Sequence, residues 1–522
     1  MKANIILESF SFCGDDVFKL YFKGKIFFDQ VILEPEEILE GLKNDKELFL
    51  NKISGFYSLV YIGPTEIIAS VDIIRSIPLF YSYDEAENII SISENTDNLI
   101  HNKNHNKINE DIFQLCSYVI GDETLYNNIN QVQAGKYLLL KEDTCKQNVF
   151  FEFKANNLTN FDENSFLEKL STITKKSFQK MFEQANGRQI VIPLSGGYDS
   201  RLIISVLKEL NYNNVVCFSY GVRGNKEAEY SKRIAESLGY KWFFIEYTDE
   251  KWKKSWGSEL AIKYINYAKN ETSLPHVQDW LAVKEIKENH LVDDDCIFVP
   301  GHCCVTAYIE KEIVDIYKQK EEIFINSIIN RHFNLCPISE LKVINSKEDL
   351  IKIINLKIKN DYNSNTSLVS NVMAFNWRER QSKYIANSVR VYEIFGYNWW
   401  LPLWDKEFVE LWINFPDYMR VDRVLFKKFV SEKYSRVSGI PYDLGNAKSS
   451  SLLYKFISYF LNKVPFKLKN YIKSLYRKNE YENHYLQFGS LVDNSLREDL
   501  THKGYKIMGI YSYCILNNIW IK

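Results

Sequence analysis

The chain has 522 residues, and its 65 basic and 67 acidic side chains leave a formal net charge of -2. This near-neutral balance argues against a dedicated nucleic-acid-binding protein, which usually carries a basic excess. The start of the sequence is too acidic, and its apolar patch too short, for a signal peptide, and no stretch is long and apolar enough to cross a bilayer. The nine cysteines show no zinc-site spacing. These features predict a cytoplasmic protein with reduced thiols.

The first 150 residues contain short runs rich in Ile, Val, Ser and Tyr, such as FYSLVYIG and ENIISISE. Gly, Pro, Asp and Asn separate these runs, which is typical of strands joined by hairpin turns. The polar stretch EFKANNLTNFDEN follows without periodicity and predicts a linker near residues 150–160. We therefore expect a β-rich domain over residues 1–155.

Strands and helices alternate after this linker. The strand QIVIPL precedes one helical pattern, the strand NVVCFSYG precedes a second, and KWFFIEY forms a third strand. This alternation predicts a parallel sheet flanked by helices, and hence an α/β fold class. We expect this second domain to cover residues 156–440, with a mainly helical pattern from about residue 255, and a basic helical extension to cover residues 441–522.

The stretch PLSGGYDSR joins the first of these strands to its helix. Gly196 and Gly197 let successive backbone N–H groups point the same way, and the helix that follows offers the unpaired donors of its N-terminus. Ser195 and Ser200 add hydroxyl donors. The Asp199 carboxylate would repel a phosphate unless it holds Mg²⁺, which bridges to phosphate oxygens. The turn has no Walker motif. The pattern favours a nucleotide phosphate site, and a glycine turn with Ser and Asp caps is the alternative.

The same stretch resembles the SGGxDS pyrophosphate loop of the ATP pyrophosphatases, in the form found in asparagine synthetases. The resemblance implies that the loop binds the β- and γ-phosphates of ATP while a carboxylate attacks the α-phosphorus. An acyl-adenylate and pyrophosphate result, and an amine then converts the acyl-adenylate into an amide and AMP. The next strand and helix also resemble this family and imply that Ser219 and Gly221 lie near adenosine; ordinary sheet core is the alternative.

The N-terminal region resembles the glutaminase-type (Ntn) domain of the same enzymes. The matching residues are Gly55, Phe56, Asp72, Arg75, Pro78, Leu79, Ser93 and Glu94. In the family a cysteine that follows the initiator Met is the nucleophile, and its own amino group activates the thiol. Here position 2 is Lys2, the first cysteine is Cys13, and the glutamine-binding segment is absent. We therefore predict a β-rich α+β glutaminase-like domain without glutaminase activity, followed by an adenine-nucleotide α-hydrolase-like domain.

A third similarity lies in residues 377–430, which resemble the family segment E-x-R-x-P-F-L-D and the lysine that follows it. The comparable residues are Glu393, Pro402, Leu403 and Asp405. Lys427 or Lys428 aligns with the lysine that stabilises charge on the α-phosphate in the family, a task that suits a compact cation. Glu393 and Asp405 could instead pair with neighbouring arginines.

The stretch IFVPGHCCVTAY departs from the family motif SGEGADE. His302 replaces the glutamate that lies near the attacking amine, and Val305 replaces a metal-binding aspartate. A neutral imidazole could deprotonate the amine near pH 7; a histidine bonded to the loop backbone is the alternative. Other acids could replace the missing carboxylate, namely Asp293, Asp294, Asp295, Glu227 and Glu229. Without a replacement, we expect adenylation to be slower by about 10²–10³.

Two further segments carry expectations. Ser273, His276 and Asp279, in ETSLPHVQDW, could face the acceptor carboxylate, although a segment of this kind more often simply starts a helix. Residues 444–479 contain no acid and interleave Lys with Leu, Ile, Phe and Tyr. That pattern suits peripheral contact with an anionic membrane, and a helical pair packed on the core is equally compatible with it.

The resemblance covers most of residues 45–435 and is closest to asparagine-synthetase-like proteins of bacterial surface-polysaccharide gene clusters, which implies a sugar uronic acid as acceptor. We therefore predict an ATP- and Mg²⁺-dependent, AMP-forming carbon–nitrogen ligase whose nitrogen comes from ammonia, a small amine or an amino acid. Three alternatives remain. They are an intramolecular ligase such as a lasso-peptide cyclase or β-lactam synthetase, asparagine synthesis from ammonia, and a non-catalytic protein that kept the fold.

Overall fold

The computed structural model describes residues 2–100, 104–142, 144–156, 160–305, 321–358, 363, 365–440 and 484–519. The segment 444–479, for which membrane contact is predicted, lies outside the described residues. Within the described ranges, no helix is both long and apolar enough to cross a membrane.

The N-terminal domain is a sandwich of two sheets. Its strands are β1 (Lys2–Ile6), β2 (Ser11–Gly14), β3 (Lys19–Phe28), β4 (Val31–Ile32), β5 (Ile53–Ile62), β6 (Glu66–Val71), β7 (Phe80–Asp84), β8 (Ile89–Ser93), β9 (Asn130–Gln131), β10 (Lys136–Lys141) and β11 (Thr144–Val149). One sheet has the order β1-β8-β7-β9, and the other has the order β11-β10-β6-β5-β3-β2, with β4 paired to β3. Val60, Ile67, Ile90, Ile92 and Leu138 fill the space between the two sheets, as alternating strand residues do in a sandwich.

Helices cover this sandwich. They are α1 (Pro35–Lys52) and α2 (Lys107–Cys116). The apolar side chains Ile38, Leu39, Leu42 and Leu50 recur at helical spacing on α1 and are buried against the larger sheet. The predicted β-rich α+β class of this domain is therefore confirmed.

The C-terminal domain is built on a parallel sheet. Its strands are β12 (Ile190–Pro193), β13 (Val215–Gly221), β14 (Lys241–Glu246), β15 (Ile297–Phe298) and β16 (Asn398–Trp399). Their order is β14-β13-β12-β15-β16, and every neighbouring pair is parallel, which confirms the predicted sheet. Because β13 and β14 extend the sheet on one side of β12 while β15 and β16 extend it on the other, the carboxyl end of β12 lies at a switch point. Open α/β sheets bind their ligands in such a crevice.

The helices that surround this sheet follow the helical pattern in the sequence. They are α3 (Glu163–Ala185), α4 (Tyr198–Glu209), α5 (Lys226–Ser237), α6 (Asp249–Trp256), α7 (Glu259–Lys269), α8 (Trp280–Glu288), α9 (Glu321–His332), α10 (Lys347–Ile358), α11 (Leu368–Phe375), a π-helix (Asn376–Ile385), α12 (Arg390–Ile394), α13 (Lys406–Ile413), α14 (Asp417–Arg420), α15 (Val424–Ser438), α16 (Asn494–Lys503) and α17 (Ile507–Leu516). The end of the chain joins the core, because α17 packs on α2, where Gln114 donates a 2.6 Å hydrogen bond to the Gly509 carbonyl.

The two domains share one apolar core. Phe151 and Phe153, which follow β11, are buried, and the Phe153 ring stacks on Trp377 with 6.0 Å between centroids. The Trp377 indole N–H donates to the Ile73 carbonyl at 2.7 Å. In the segment predicted as a polar linker, Phe151, Phe153 and Ala155 are therefore buried, whereas Glu152 is exposed.

Candidate active site at the carboxyl end of the parallel sheet

The glycine turn forms a loop between the carboxyl end of β12 and the N-terminus of α4. Gly197 is the N-terminal cap residue of α4, in an extended conformation. The Arg201 guanidinium, on the first turns of α4, donates a 2.6 Å hydrogen bond to the Gly196 carbonyl. That bond holds the carbonyl on one side of the loop, and the Gly196 N–H meets a carboxylate oxygen of Glu227 at 2.9 Å. The loop backbone is therefore arranged to bind an anion.

The two serines of the loop hold each other in place. The Ser195 and Ser200 hydroxyl oxygens are 3.0 Å apart, and the Ser195 N–H donates to the Ser200 oxygen at 3.2 Å. The Gly197 N–H donates to the Ser195 hydroxyl at 3.1 Å. Ser200 is buried, whereas Ser195 is exposed. The geometry therefore gives Ser200 a part in the shape of the loop and leaves Ser195 accessible.

Asp199 forms an ion pair with Arg423. The Asp199 carboxylate, in the first turn of α4, accepts hydrogen bonds from both terminal nitrogens of Arg423, one of them at 3.3 Å. Arg423 caps the start of α15, and both it and Asp422 have a left-handed backbone, with φ of 56° and 54°. The Arg423 Nε is buried and has no hydrogen-bond partner among the described residues. A partly unsatisfied guanidinium thus lies beside the loop, at a point where phosphate oxygens could accept from it.

Of the two predicted lysines, the structure brings Lys427 towards the loop. Its Nζ lies 5.9 Å from the centroid of the ring of Tyr198, which is the residue between the two glycines and Asp199. Lys428, on the exposed side of α15, forms an ion pair with Glu163 at the start of α3. Successive residues of a helix point about 100° apart, so only one of the pair can face the loop.

The acids proposed to replace the missing carboxylate separate into two groups. Glu227, on the first turn of α5, lies at the loop through its contact with the Gly196 N–H, and Glu229, two residues further along α5, is exposed. Asp293, Asp294 and Asp295 precede β15 and so lie at the opposite, amino end of the sheet, where Asp294 pairs with Lys287 at 2.7 Å. Among the described residues, no group of three or more His, Cys, Asp or Glu could hold a metal ion. Asp199 and Glu227 are therefore the carboxylates that border the loop.

The stretch after β15 packs directly on the loop. A Cβ atom built on Gly301 would lie 3.1 Å from the Ser200 nitrogen, so a larger residue at 301 would displace the loop. His302 follows, and its Nε2 lies 3.2 Å from the Ser388 hydroxyl. The His302 Nδ1 is buried without a partner among the described residues. Burial lowers the pKa of this imidazole to about 4, so it is neutral at pH 7.

Val305 lies in an apolar setting. It lines a small cavity together with Cys304, Met373, Trp412 and Phe415, and the Arg423 side chain forms part of the same wall. A carboxylate at this position would lose its hydration among these side chains. The described structure therefore keeps this wall of the site apolar, and the acids that border the loop come from α4 and α5 instead.

His276 and Asp279 lie behind His302. Asp279 accepts hydrogen bonds from the Tyr392 hydroxyl, at 2.6 Å, and from the Tyr220 hydroxyl. The His276 ring lies 5.7 Å from the Tyr384 ring, and its Nδ1 is buried without a partner among the described residues. The Ser273 hydroxyl accepts from the Asn387 amide at 3.2 Å. In this segment Asp279 and Ser273 thus have partners within the protein, whereas the His276 Nδ1 has none among the described residues.

The predicted adenosine residues lie at the carboxyl end of β13. The Ser219 hydroxyl donates to the Leu194 carbonyl at 2.7 Å and accepts from the Trp242 indole at 3.2 Å. Both hydrogen bonds stabilise the local structure. Gly221 has φ of 129°, and a Cβ atom there would lie 2.8 Å from the Tyr485 carbonyl. That carbonyl also accepts from the Val222 N–H at 2.7 Å. The C-terminal extension therefore borders this end of the crevice through Tyr485, which the sequence did not indicate.

Several residues matched to the family act within the core. Glu393 pairs with Arg390 at 2.6 Å, and Asp405 pairs with the buried Lys180 at 2.9 Å. Asp72 is buried and accepts from the Ile74 N–H at 2.8 Å and the Tyr57 N–H at 3.1 Å. Burial raises the pKa of Asp72 to about 6. These carboxylates stabilise local structure. For Glu393 this agrees with the alternative that it pairs with a neighbouring arginine, whereas Asp405 pairs with a lysine, Lys180.

The fold and the loop together define an α/β domain with a glycine loop and a helix N-terminus at the switch point of its sheet. The model of the asparagine synthase family matches residues 185–266, which contain β12, the loop, α4, β13 and Glu227. This match supports an ATP-using, amide-forming ligase as the class of enzyme. Comparison with curated proteins gave no match.

Solved structures that resemble parts of the chain include two synthetases and an amidotransferase. The NH3-dependent NAD synthetase of Campylobacter jejuni is 14% identical with a TM-score of 0.21, over 44% of this chain and 96% of that one. The NMN synthetase of Francisella tularensis is 13% identical with a TM-score of 0.20, over 43% and 97%. The glutamine PRPP amidotransferase of B. subtilis is 10% identical with a TM-score of 0.19, over 69% and 77%. Similarities of this strength carry no argument about substrate or mechanism.

Proposed function

We propose that the protein is an ATP-dependent ligase that activates a carboxylate as an acyl-adenylate and joins it to ammonia or an amine. The observation that carries the proposal is the anion-binding loop at the switch point, with Asp199 and Arg423 beside it. The family match over residues 185–266 covers this loop and supports the same class. AMP and pyrophosphate are the expected products.

The loop residues suit the β- and γ-phosphates of ATP. The Gly196 N–H, which meets the Glu227 carboxylate, would donate to a phosphate oxygen, and the exposed Ser195 hydroxyl would add a second donor. Mg²⁺ fits this site, because it usually binds through one or two carboxylates together with substrate phosphates, and Asp199 and Glu227 supply those carboxylates. When bound, Mg²⁺ would neutralise part of the phosphate charge.

Arg423 and Lys427 are the cations that would stabilise charge at the α-phosphate. Arg423 lies closer to the loop, since it contacts Asp199 directly, whereas Lys427 lies over the Tyr198 ring. A guanidinium can donate two parallel hydrogen bonds to phosphate oxygens, and such preorganised donors stabilise charge that develops during the reaction. Lys428 has no such position, so we assign it no catalytic role.

His302 would contact the incoming amine. Its neutral imidazole stands next to the loop, and its Nδ1 has no partner among the described residues. An unprotonated ring nitrogen can accept a hydrogen bond from the amine and its proton as the C–N bond forms. The lowered pKa of His302 makes it a weak base. It would therefore orient the amine and accept its proton only briefly.

The nitrogen source in this proposal is free ammonia or an amine. Cys13, the first cysteine of the chain, lies on β2, and burial together with the nearby Glu36 carboxylate raises the pKa of its thiol. A raised pKa disfavours the thiolate that a glutaminase nucleophile needs. The N-terminal domain would then act as a structural partner of the ligase domain, through contacts such as that of Trp377 with Ile73.

An exchange assay tests the proposal. Labelled pyrophosphate should enter ATP only when Mg²⁺ and an acceptor acid are both present, and addition of ammonia should then release AMP. Glucuronic acid, galacturonic acid and aspartate form a first panel, because the first two represent the proposed uronic acids and the third represents asparagine synthesis. Formation of ADP and phosphate in place of AMP and pyrophosphate would contradict the proposal. Absence of ATP binding would favour the non-catalytic alternative.

Tyr485 should contribute to ATP affinity. Its ring borders Gly221, and this contact supports the proposal that Tyr485 lines the adenosine site. Stacking of an aromatic ring on a base is worth about 1–3 kcal/mol, so Tyr485→Ala should raise the KM for ATP about tenfold and leave that for the acceptor unchanged. Steady-state kinetics measure this effect. Tyr485→Phe should behave like the wild type. Tyr83→Ala, in the first domain, is the control and should not change the KM for ATP. An unchanged KM for ATP in Tyr485→Ala would contradict the assignment.

A further inference from the structure

The π-helix Asn376–Ile385 presents an unpaired cation next to the proposed active site. Arg380 is half-buried, and its guanidinium makes no ion pair or hydrogen bond with the described part of the chain. Its neighbours on the same helix differ in this respect, since Lys383 and Glu379 form a buried ion pair. A π-helix is less common than an α-helix and is frequent at functional sites. Arg380 is thus a cation without a partner among the described residues.

The charge of Arg380 acts on three rings, of which His332 is buried and His276 and Tyr384 are half-buried. It lowers the pKa of His276 and of His332, after the larger effect of burial in each case, and it also acts on the Tyr384 hydroxyl. The His276 Nδ1 is buried without a partner among the described residues, as is the Nε2 of His332. A buried polar atom without a partner costs free energy, so these atoms mark a place that suits a polar ligand.

The cluster lies next to the stretch that packs on the loop. A Cβ atom on Gly301 would come within 3.1 Å of the Ser200 nitrogen, and His302 follows Gly301 in the chain. The His302 Nε2 lies 3.2 Å from the Ser388 hydroxyl, and the His276 ring lies 5.7 Å from the ring of Tyr384, which is four residues after Arg380 on the π-helix. The acidic group in this region, Asp279, is engaged by the Tyr220 and Tyr392 hydroxyls. An acceptor whose carboxylate reaches the loop past His302 would therefore extend towards His276 and Arg380.

We infer that Arg380 and His276 form an acceptor subsite that binds a second anionic group, a phosphate or a carboxylate, on the molecule whose first carboxylate is activated. A guanidinium matches both groups because it donates two parallel hydrogen bonds to paired oxygens. The neutral His276 ring adds a hydrogen-bond partner for a hydroxyl group of the acceptor. That hydroxyl can donate to the unprotonated ring nitrogen or accept from the ring N–H, whichever tautomer is present. The inference rests on the proposed function for the identity of the reacting carboxylate, and it narrows the substrate class to acids with two anionic groups.

Titration calorimetry without ATP tests this subsite separately from the ligase reaction. The probes are glucuronic acid, with one anionic group, glucuronic acid 1-phosphate, with an added phosphate, and glucaric acid, with an added carboxylate. In the wild type, at least one two-anion probe should bind about tenfold more tightly than glucuronic acid, the usual scale for a charged hydrogen bond. Arg380→Gln should reduce that preference to less than about twofold. Arg436→Gln, the same change at an exposed arginine on α15, should leave it intact.

The tighter of the two-anion probes identifies the second group as phosphate or carboxylate. Equal binding of all three probes by the wild type, absence of binding by any of them, or a preference that survives in Arg380→Gln would overturn the inference. Circular dichroism checks that the variant is folded, which we expect because Arg380 has no ion pair or hydrogen bond to lose among the described residues. The exchange assay on the same samples reports on the proposed function, so a protein that adenylates glucuronic acid but shows no two-anion preference would refute the subsite alone.

Discussion

Asp199→Ala should lower the rate of pyrophosphate formation about 10²–10³-fold, the usual scale for the loss of one electrostatic contact in an active site. Asp199 borders the loop, and the cavity that Val305 lines has no carboxylate among its described residues, so Glu227 would be the carboxylate with a contact at the loop that remains for the metal. The dependence of the rate on Mg²⁺ concentration should shift to higher concentrations in the variant. Glu163→Ala, which removes an exposed carboxylate that pairs with Lys428, is the matched control and should retain the wild-type rate.

A double-mutant cycle separates metal binding from a purely structural role of Asp199. If the carboxylate only held Arg423 in place, Asp199→Ala would have no further effect in an Arg423→Met background. A metal ligand should still matter there, so we expect Asp199→Ala to lower the rate of Arg423→Met by at least about another tenfold. Arg423→Met alone should lower the rate about 10²-fold, because it removes the guanidinium beside the loop. Identical rates for Arg423→Met and for the double variant Asp199→Ala with Arg423→Met would contradict the assignment of Asp199 to the metal.

The loop could be predicted from the sequence because its signals are local. A short apolar run, two glycines and a helix with Asp199 in its first turn specify strand, turn and helix within twenty residues, and the structure has these elements at Ile190–Pro193 and Tyr198–Glu209. The parallel sheet followed from the same kind of pattern in the next two strands. The predicted linker differs from the structure because the alternation of Phe151, Phe153 and Ala155 covers only a few residues inside a polar stretch, and the Phe153 ring packs on Trp377, more than 200 residues away.

Arg423 was harder to find, since its position depends on backbone geometry. Asp422 and Arg423 are both left-handed, which turns the chain so that Arg423 faces α4 before α15 begins. Alignment by residue type placed the family's cation at Lys427 or Lys428, because a lysine was expected there. The signal available in the sequence was the run RVDRVLFKK, in which a basic residue immediately precedes a helix. Tyr485 and the pairing of Glu227 with Gly196 depend on contacts between distant segments and gave no local signal.

The departures from the family motif have a common physical consequence. The wall that includes Val305 is apolar, so acids from the neighbouring helices α4 and α5 take over the border of the loop. In the proposed acceptor subsite, His302, His276 and Arg380 would supply neutral and cationic groups, and Asp279 has partners of its own. Such a distribution of charge would favour an anionic acceptor at the histidines. This is the basis for proposing that the acceptor binds there and that the nucleotide phosphates bind at the loop.

His302→Gln should lower the rate of amide formation about 10²-fold and change pyrophosphate exchange by less than about threefold. The reason is that His302 would act on the amine, after the acyl-adenylate has formed, and proton transfer by a positioned side chain contributes about 10²–10⁴. We expect the lower end of this range, because burial lowers the pKa of His302 to about 4 and makes it a weak base. Separate assays of exchange and of amide formation measure the two steps. His502→Gln, at an exposed position on α16, is the matched control.

The pH dependence tests the same assignment. An ordinary histidine, with a pKa near 6.5, would lose most of its unprotonated form between pH 7 and pH 5.5. His302, with its pKa lowered by burial, stays unprotonated over that interval and gains its proton only towards pH 4. The rate of amide formation, measured at a constant concentration of unprotonated amine, should therefore stay level from pH 7 to pH 5.5. A tenfold fall over this interval that disappears in His302→Gln would show that the imidazole has an ordinary pKa, and hence that it is not buried next to the loop during the reaction.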